Sequence, residues 1–139
     1  MPAASESPRL VEMNEPEGPL SRESIARIDA TQLPQLERHH LRLLAHCLAC
    51  FKTMGPTPAD GSLPRETSRR HWCLEQPRIA EDPDFLDRLL EQFDVAALQL
   101  ETIAQAQQVP PMTLTLDALI TAAETRWQHR NPPGDADAP

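Results

Sequence analysis

The sequence predicts an all-α fold, a small antiparallel bundle of four to five helices between disordered termini. Three observations predict it. Apolar residues recur at steps of three and four through residues 34–54 and 82–108, the spacing that lines one side of a helix. Proline and glycine interrupt the chain between such stretches, at Pro34, Gly55-Pro56, Pro77 and Pro110-Pro111. Strand-like alternation occurs in MTLTL at 112–116, which is short and has no second strand to pair with, so it reads as an extended lead-in.

Residues 1–19 carry Pro2, Pro8, Pro16 and Pro19, four Glu and few large apolar groups. Such a segment cannot bury enough surface to offset its ordering entropy, and it is predicted to be disordered. Residues 131–139, NPPGDADAP, are predicted to be a second flexible tail. A single helical domain is expected over residues 20–130.

The first helix is expected over 21–32, opened by Ser21, with thin apolar content in Ile25, Ile28 and Leu33. It either stops there or continues into the next with a kink at Pro34, since proline suits a helix start and disrupts an interior. The second helix, 34–54, places Leu33, Leu36, Leu43, Leu44, Cys47, Cys50, Phe51 and Met54 on one side, with Leu41 and Leu48 widening the arc. Gly55-Pro56 is its stop signal. After the loop GPTPADGS, a third helix is expected over 63–76, with Ser62 near its cap, Pro64 in its first turn and Pro77 ending it.

The fourth helix is the clearest. Asp82 is a natural cap, Pro83 suits the first helical position, and Asp84 and Asp87 complement the positive end of the helix dipole. Its apolar stripe runs from Phe85 and Leu86 through Phe93 and Leu100 to Ala104, ending near Gln108. A fifth helix over 115–130, capped by Thr115, has a narrow stripe of Leu116, Leu119, Ile120, Ala123 and Trp127.

Composition bounds the function. The formal net charge is −8, from 13 Lys+Arg against 21 Asp+Glu. A duplex binder releases counterions with surplus cations, so the balance argues against nucleic acid. The charge is uneven, with a basic middle (Arg38 to Arg78) joined to an acidic stretch (Glu81 to Glu101). MPAASESPRL lacks the apolar core of a secretory signal, and no run reaches the roughly 18 apolar residues of a spanning helix. The expected setting is cytoplasmic, with no membrane contact and with Cys47, Cys50 and Cys73 reduced.

The candidate constellations are few. His46 and Cys50, spaced i, i+4, could touch one ion, with Cys73 completing a nitrogen and sulfur site; Cys47-x-x-Cys50, however, sits mid-helix in a Leu-rich run, where thiols act as small apolar residues. The same position removes the helix-start dipole that thioredoxin-like chemistry needs. No phosphate loop, nucleophile elbow or dinucleotide fingerprint occurs, and four glycines make a backbone phosphate cradle hard to build. No catalytic residue and no cofactor are expected. Arg65, Arg69 and Arg70 could form a recognition helix, or dock on an acidic protein surface, the chain's own fourth helix included. Val95 and Leu98 project from the side of the fourth helix opposite its stripe, where either the first helix or a partner would cover them.

The expected function is therefore a non-catalytic protein–protein interaction module, an accessory, assembly or regulatory factor. It would bind another protein or itself through Val95, Leu98, Arg65, Arg69 and Arg70. The alternatives are a small nucleic-acid-binding regulator using the Arg65–Arg78 region and a metal-binding sensor using His46, Cys50 and Cys73.

Overall fold

The computed structural model describes residues 20–131, and the two predicted tails lie outside them but for Asn131. In chain order the elements are α1 (Arg22–Asp29), α2 (Gln35–Phe51), α3 (Glu66–Leu74), α4 (Pro77–Ala80), α5 (Pro83–Gln107), a 3-10 turn (Pro111–Thr113) and α6 (Leu116–Arg130). The fold is all-α, with no strand among the described residues. Among the described residues six helices stand where four to five are expected, because the single turn α4 is added. Among the described residues two compact units are defined, one of residues 20–46 and 115–131, the other Cys47–Leu114.

In the first unit, the Ser21 side chain caps α1 by accepting from the Ser24 N–H at 3.0 Å, and Ile28 is its fully buried anchor. The open question at Pro34 resolves into two separate helices. The Thr31 hydroxyl donates to the Ile28 carbonyl at 2.8 Å, and the proline disfavours helical geometry in the residue before it. The Pro34 carbonyl then accepts from the Arg38 N–H at 2.9 Å, starting α2. Ion pairs tie the unit together. Arg42 meets Asp29 at 2.7 Å, Arg27 meets Asp117, and Arg130 and Arg126 reach the Glu37 carboxylate at 3.0 and 3.8 Å. Along α6 only Leu119 is fully buried, as its narrow stripe implies.

The apolar side of α2 is corrected by the structure. Leu36 and Leu43 are 61% and 39% exposed, while Leu41, Ala45 and Leu48, at the edge of the expected arc or beyond it, are buried. Periodicity measures how wide an apolar arc is. Which part of a wide arc gets covered depends on where neighbours fall. The helix also ends at Phe51 rather than 54, where the Thr53 hydroxyl donates to the Cys50 carbonyl at 2.8 Å.

In the second unit, α3, α4 and α5 pack on one another and the 3-10 turn packs on α5. Phe93 is the centre of the aromatic core, its ring 5.3 Å from Phe51 and 6.4 Å from Trp72, centroid to centroid. Cys73, Leu100 and Leu114 are buried in the same unit. The third expected helix is shorter than predicted and differently capped. The Ser62 N–H donates to the Asp60 carboxylate at 3.0 Å in a turn, Leu63 and Pro64 are buried outside the helix, and α3 starts only at Glu66. Pro77 does not end α3; it opens α4, where its missing N–H costs nothing.

α5 matches its expectation closely. The Asp82 carboxylate accepts from the Phe85 N–H at 3.1 Å, and Gln108 closes the helix in the left-handed region at φ 60°. Of its expected stripe, Phe85 is exposed, within the first turn of the helix. The expected lead-in at 112–116 is partly a 3-10 turn. Its Met112 N–H donates to the Gly61 carbonyl at 2.9 Å, and Leu114 and Thr115 then run extended into α6. Gly61 holds φ +75°, and a Cβ there would lie 2.5 Å from the Pro110 side chain, so only glycine fits.

Candidate protein-docking surface on the long helix

α5 presents two chemically different faces. Inward it buries Leu86, Leu90, Phe93, Ala96, Ala97, Leu100 and Ala104. On the other side the charged residues Asp84, Asp87, Arg88 and Glu91 give way to Val95 and Leu98. Val95 is 55% and Leu98 67% exposed. Thr102 continues this side, its hydroxyl donating back to the Leu98 carbonyl at 3.0 Å. A single exposed apolar residue is ordinary, but two on adjacent turns of one open helix face form a small patch that burial would stabilise.

The three arginines of α3 and its approach do not act together. Arg65 and Arg70 are exposed, whereas Arg69 is 9% exposed. Its guanidinium donates to the Pro64 carbonyl at 2.7 Å and to the Asp94 carboxylate at 2.6 Å, and lies 5.9 Å over the Phe51 ring. It thus joins α3 to α5 from inside the unit. Spacing alone does not separate it from Arg65 and Arg70; the signal in the sequence is the acidic stretch on the fourth helix, one surface on which these arginines could dock.

The expected metal candidates likewise differ in exposure. Cys47, Cys50 and Cys73 are free and buried, while His46 is exposed. Burial pushes the Cys47 thiol up to about 11. Cys50 goes to about 12, by burial first and then by its proximity to Cys47 and Cys73. Cys73 is also raised by burial, with Arg70 offsetting part of the effect. Among the described residues no three His, Cys, Asp or Glu side chains are grouped to hold a metal ion.

The protonated, buried thiols carry a prediction. The native protein at neutral pH is expected to leave all three unreacted toward an aromatic disulfide reagent, while urea-unfolded protein titrates three. The same shifts set the alkaline limit. A thiol raised from its ordinary 9.0 keeps its proton in the folded chain when the unfolded chain has lost it. Its contribution is whole below about pH 9 and is lost as pH rises through about 11. Urea midpoints should fall over that interval, and a flat profile would contradict the burial.

A shallow polar cleft of about 280 Å³ in the first unit is lined by Asp29, Gln35, Arg38, His39 and Arg42. Its charges are largely engaged with one another. Arg42 pairs with the Asp29 carboxylate and Arg38 donates to the Asp29 carbonyl at 3.2 Å. Among the described residues no helix is long and apolar enough to cross a membrane.

These features define a class, an all-α protein whose long helix carries apolar side chains on its open face. The sequence profile of the family described as NDH complex assembly factor CRR9 matches residues 20–130. The chain belongs to that family of assembly factors. Comparison with curated proteins finds no match, and comparison with solved structures finds none.

Proposed function

We propose that this chain is a non-catalytic assembly factor that binds a protein component of an NDH complex, and that the open face of α5 makes the contact. The family's description supports the assembly role. The observation that carries the surface is the exposure of Val95 and Leu98 together. Burying the part of each side chain that is still exposed would contribute roughly 1–2 kcal/mol. The engagement of Arg69 inside the second unit leaves the nucleic-acid alternative with three exposed arginines, Arg65, Arg70 and Arg78, in place of four.

The test is quantitative affinity capture from the native host, with wild type and a Val95→Asp/Leu98→Asp variant compared. Wild type is expected to recover NDH-complex components, and the variant to lose at least nine-tenths of that recovery. Circular dichroism and urea midpoint should barely change, because substitutions at exposed sites usually stay within about 0.5 kcal/mol. Undiminished recovery by the variant, or capture with no NDH component, would refute the proposal.

A further inference from the structure

The open face of α5 has a repeat as well as a patch. Asp84, Arg88, Glu91, Val95, Leu98 and Thr102 follow one another at alternating steps of four and three, and all six are exposed. That alternation, 3.5 residues on average, is the spacing by which one helix lies along another. The row is graded. Its N-terminal part is acidic, with Asp87 beside it, and its centre is apolar.

We propose that this row receives a partner helix with a matching apolar centre and with Lys or Arg over Asp87 and Glu91. The inference rests on the assembly-factor reading above and names the chemistry of the partner. Charge complementarity selects the occupant. Asp94 already has Arg69 as counter-ion, whereas Asp87 and Glu91 form no ion pair with any described residue. Asp84 serves the positive end of its own helix, but Glu91 lies beyond the first turn, where that dipole effect has faded. A second copy supplies one cation to this row, Arg88, against the three acids Asp84, Asp87 and Glu91. In a parallel pair the acidic parts oppose each other, and in an antiparallel pair about the apolar centre Glu91 meets Thr102. An anionic lipid surface would be repelled by the same acids.

The test uses the full chain and two designed helical peptides of three heptads with the same apolar stripe. One is flanked by Lys and the other by Glu, and binding is followed by fluorescence anisotropy at low and physiological salt. The Lys peptide is expected to bind at least tenfold tighter than the Glu peptide, with the gap narrowing as salt rises. Asp87→Lys/Glu91→Lys should invert the order, and Val95→Asp/Leu98→Asp should abolish binding of both. Equal binding of the two peptides, no binding of the Lys peptide, or an order untouched by charge reversal would each overturn the inference. So would a concentration-dependent dimer of the wild-type chain in sedimentation velocity that Leu98→Asp dissolves. The two failures are distinguishable. If host capture still depends on Val95 and Leu98 while the peptides bind equally, the assembly reading stands and the basic helix falls. If capture ignores Val95 and Leu98, the assembly reading of this face falls first.

Discussion

Phe93→Ala is expected to destabilise the second unit by roughly 3–5 kcal/mol, the range for deleting a buried phenyl ring. Phe93 is 1% exposed and touches aromatic rings from two directions, Phe51 at the end of α2 and Trp72 on α3. Truncation removes the transfer energy of the ring, the tilted aromatic contacts and the packing of atoms that cannot collapse into the space. Phe93→Leu fills more of that space and should cost about half as much. The two tryptophans report the result by unit. Trp72 lies in the second and Trp127 in the first, so a Trp127→Phe background makes fluorescence specific to the aromatic core. Urea unfolding followed by Trp72 should show a midpoint lowered at nearly unchanged slope. A loss below about 1 kcal/mol would mean that Phe93 is not the centre of that core.

Arg69→Ala is expected to cost about 2–4 kcal/mol, while Arg65→Ala and Arg70→Ala each cost under about 0.5 kcal/mol. The contrast follows from burial. Arg69 is nearly withdrawn from water, and its guanidinium satisfies the Pro64 carbonyl and pairs with Asp94. Removing it leaves that carbonyl without its donor and opens a space beside Phe51. The carboxylate side of the pair is worth less. The Asp94 side chain is 50% exposed and regains water when its partner goes. Asp94→Asn should therefore cost less than half of Arg69→Ala, and a double-mutant cycle should assign most of the larger loss to contacts other than the ion pair. The Nε of Arg69 has no hydrogen-bond partner, so Arg69→Met, which keeps the stem and sheds the buried charge, is expected to be milder than Ala. Equal effects at Arg65, Arg69 and Arg70 would show the three side chains to be alike, against the geometry.

The same three arginines show how far linear reading reaches. Spacing places Arg65 and Arg69 on one helix face with Arg70 beside them, and that is all that local chemistry can say. α3 starts at Glu66, which leaves Arg65 at the cap and turns Arg69 inward toward Asp94, 25 residues away. The metal candidates follow a similar logic. The i, i+4 relation of His46 and Cys50 is a true helical relation, yet one side chain is exposed and the other buried. The outward position of Val95 and Leu98 is legible from a long helix with a sharply defined stripe, whereas their exposure depends on which other elements reach that side.

Short-range chemistry settled the helical class and the main boundaries. Asp82-Pro83 and Thr115 mark helix starts because a side-chain oxygen satisfies an orphan backbone N–H within three residues. Packing decided the rest. Whether Leu41 or Leu43 is covered on α2, whether Pro77 stops a helix or starts one, and where the charge of Arg69 goes all depend on groups distant along the chain. Capping energies act within one turn, whereas burial is a sum over neighbours brought together only by the folded backbone.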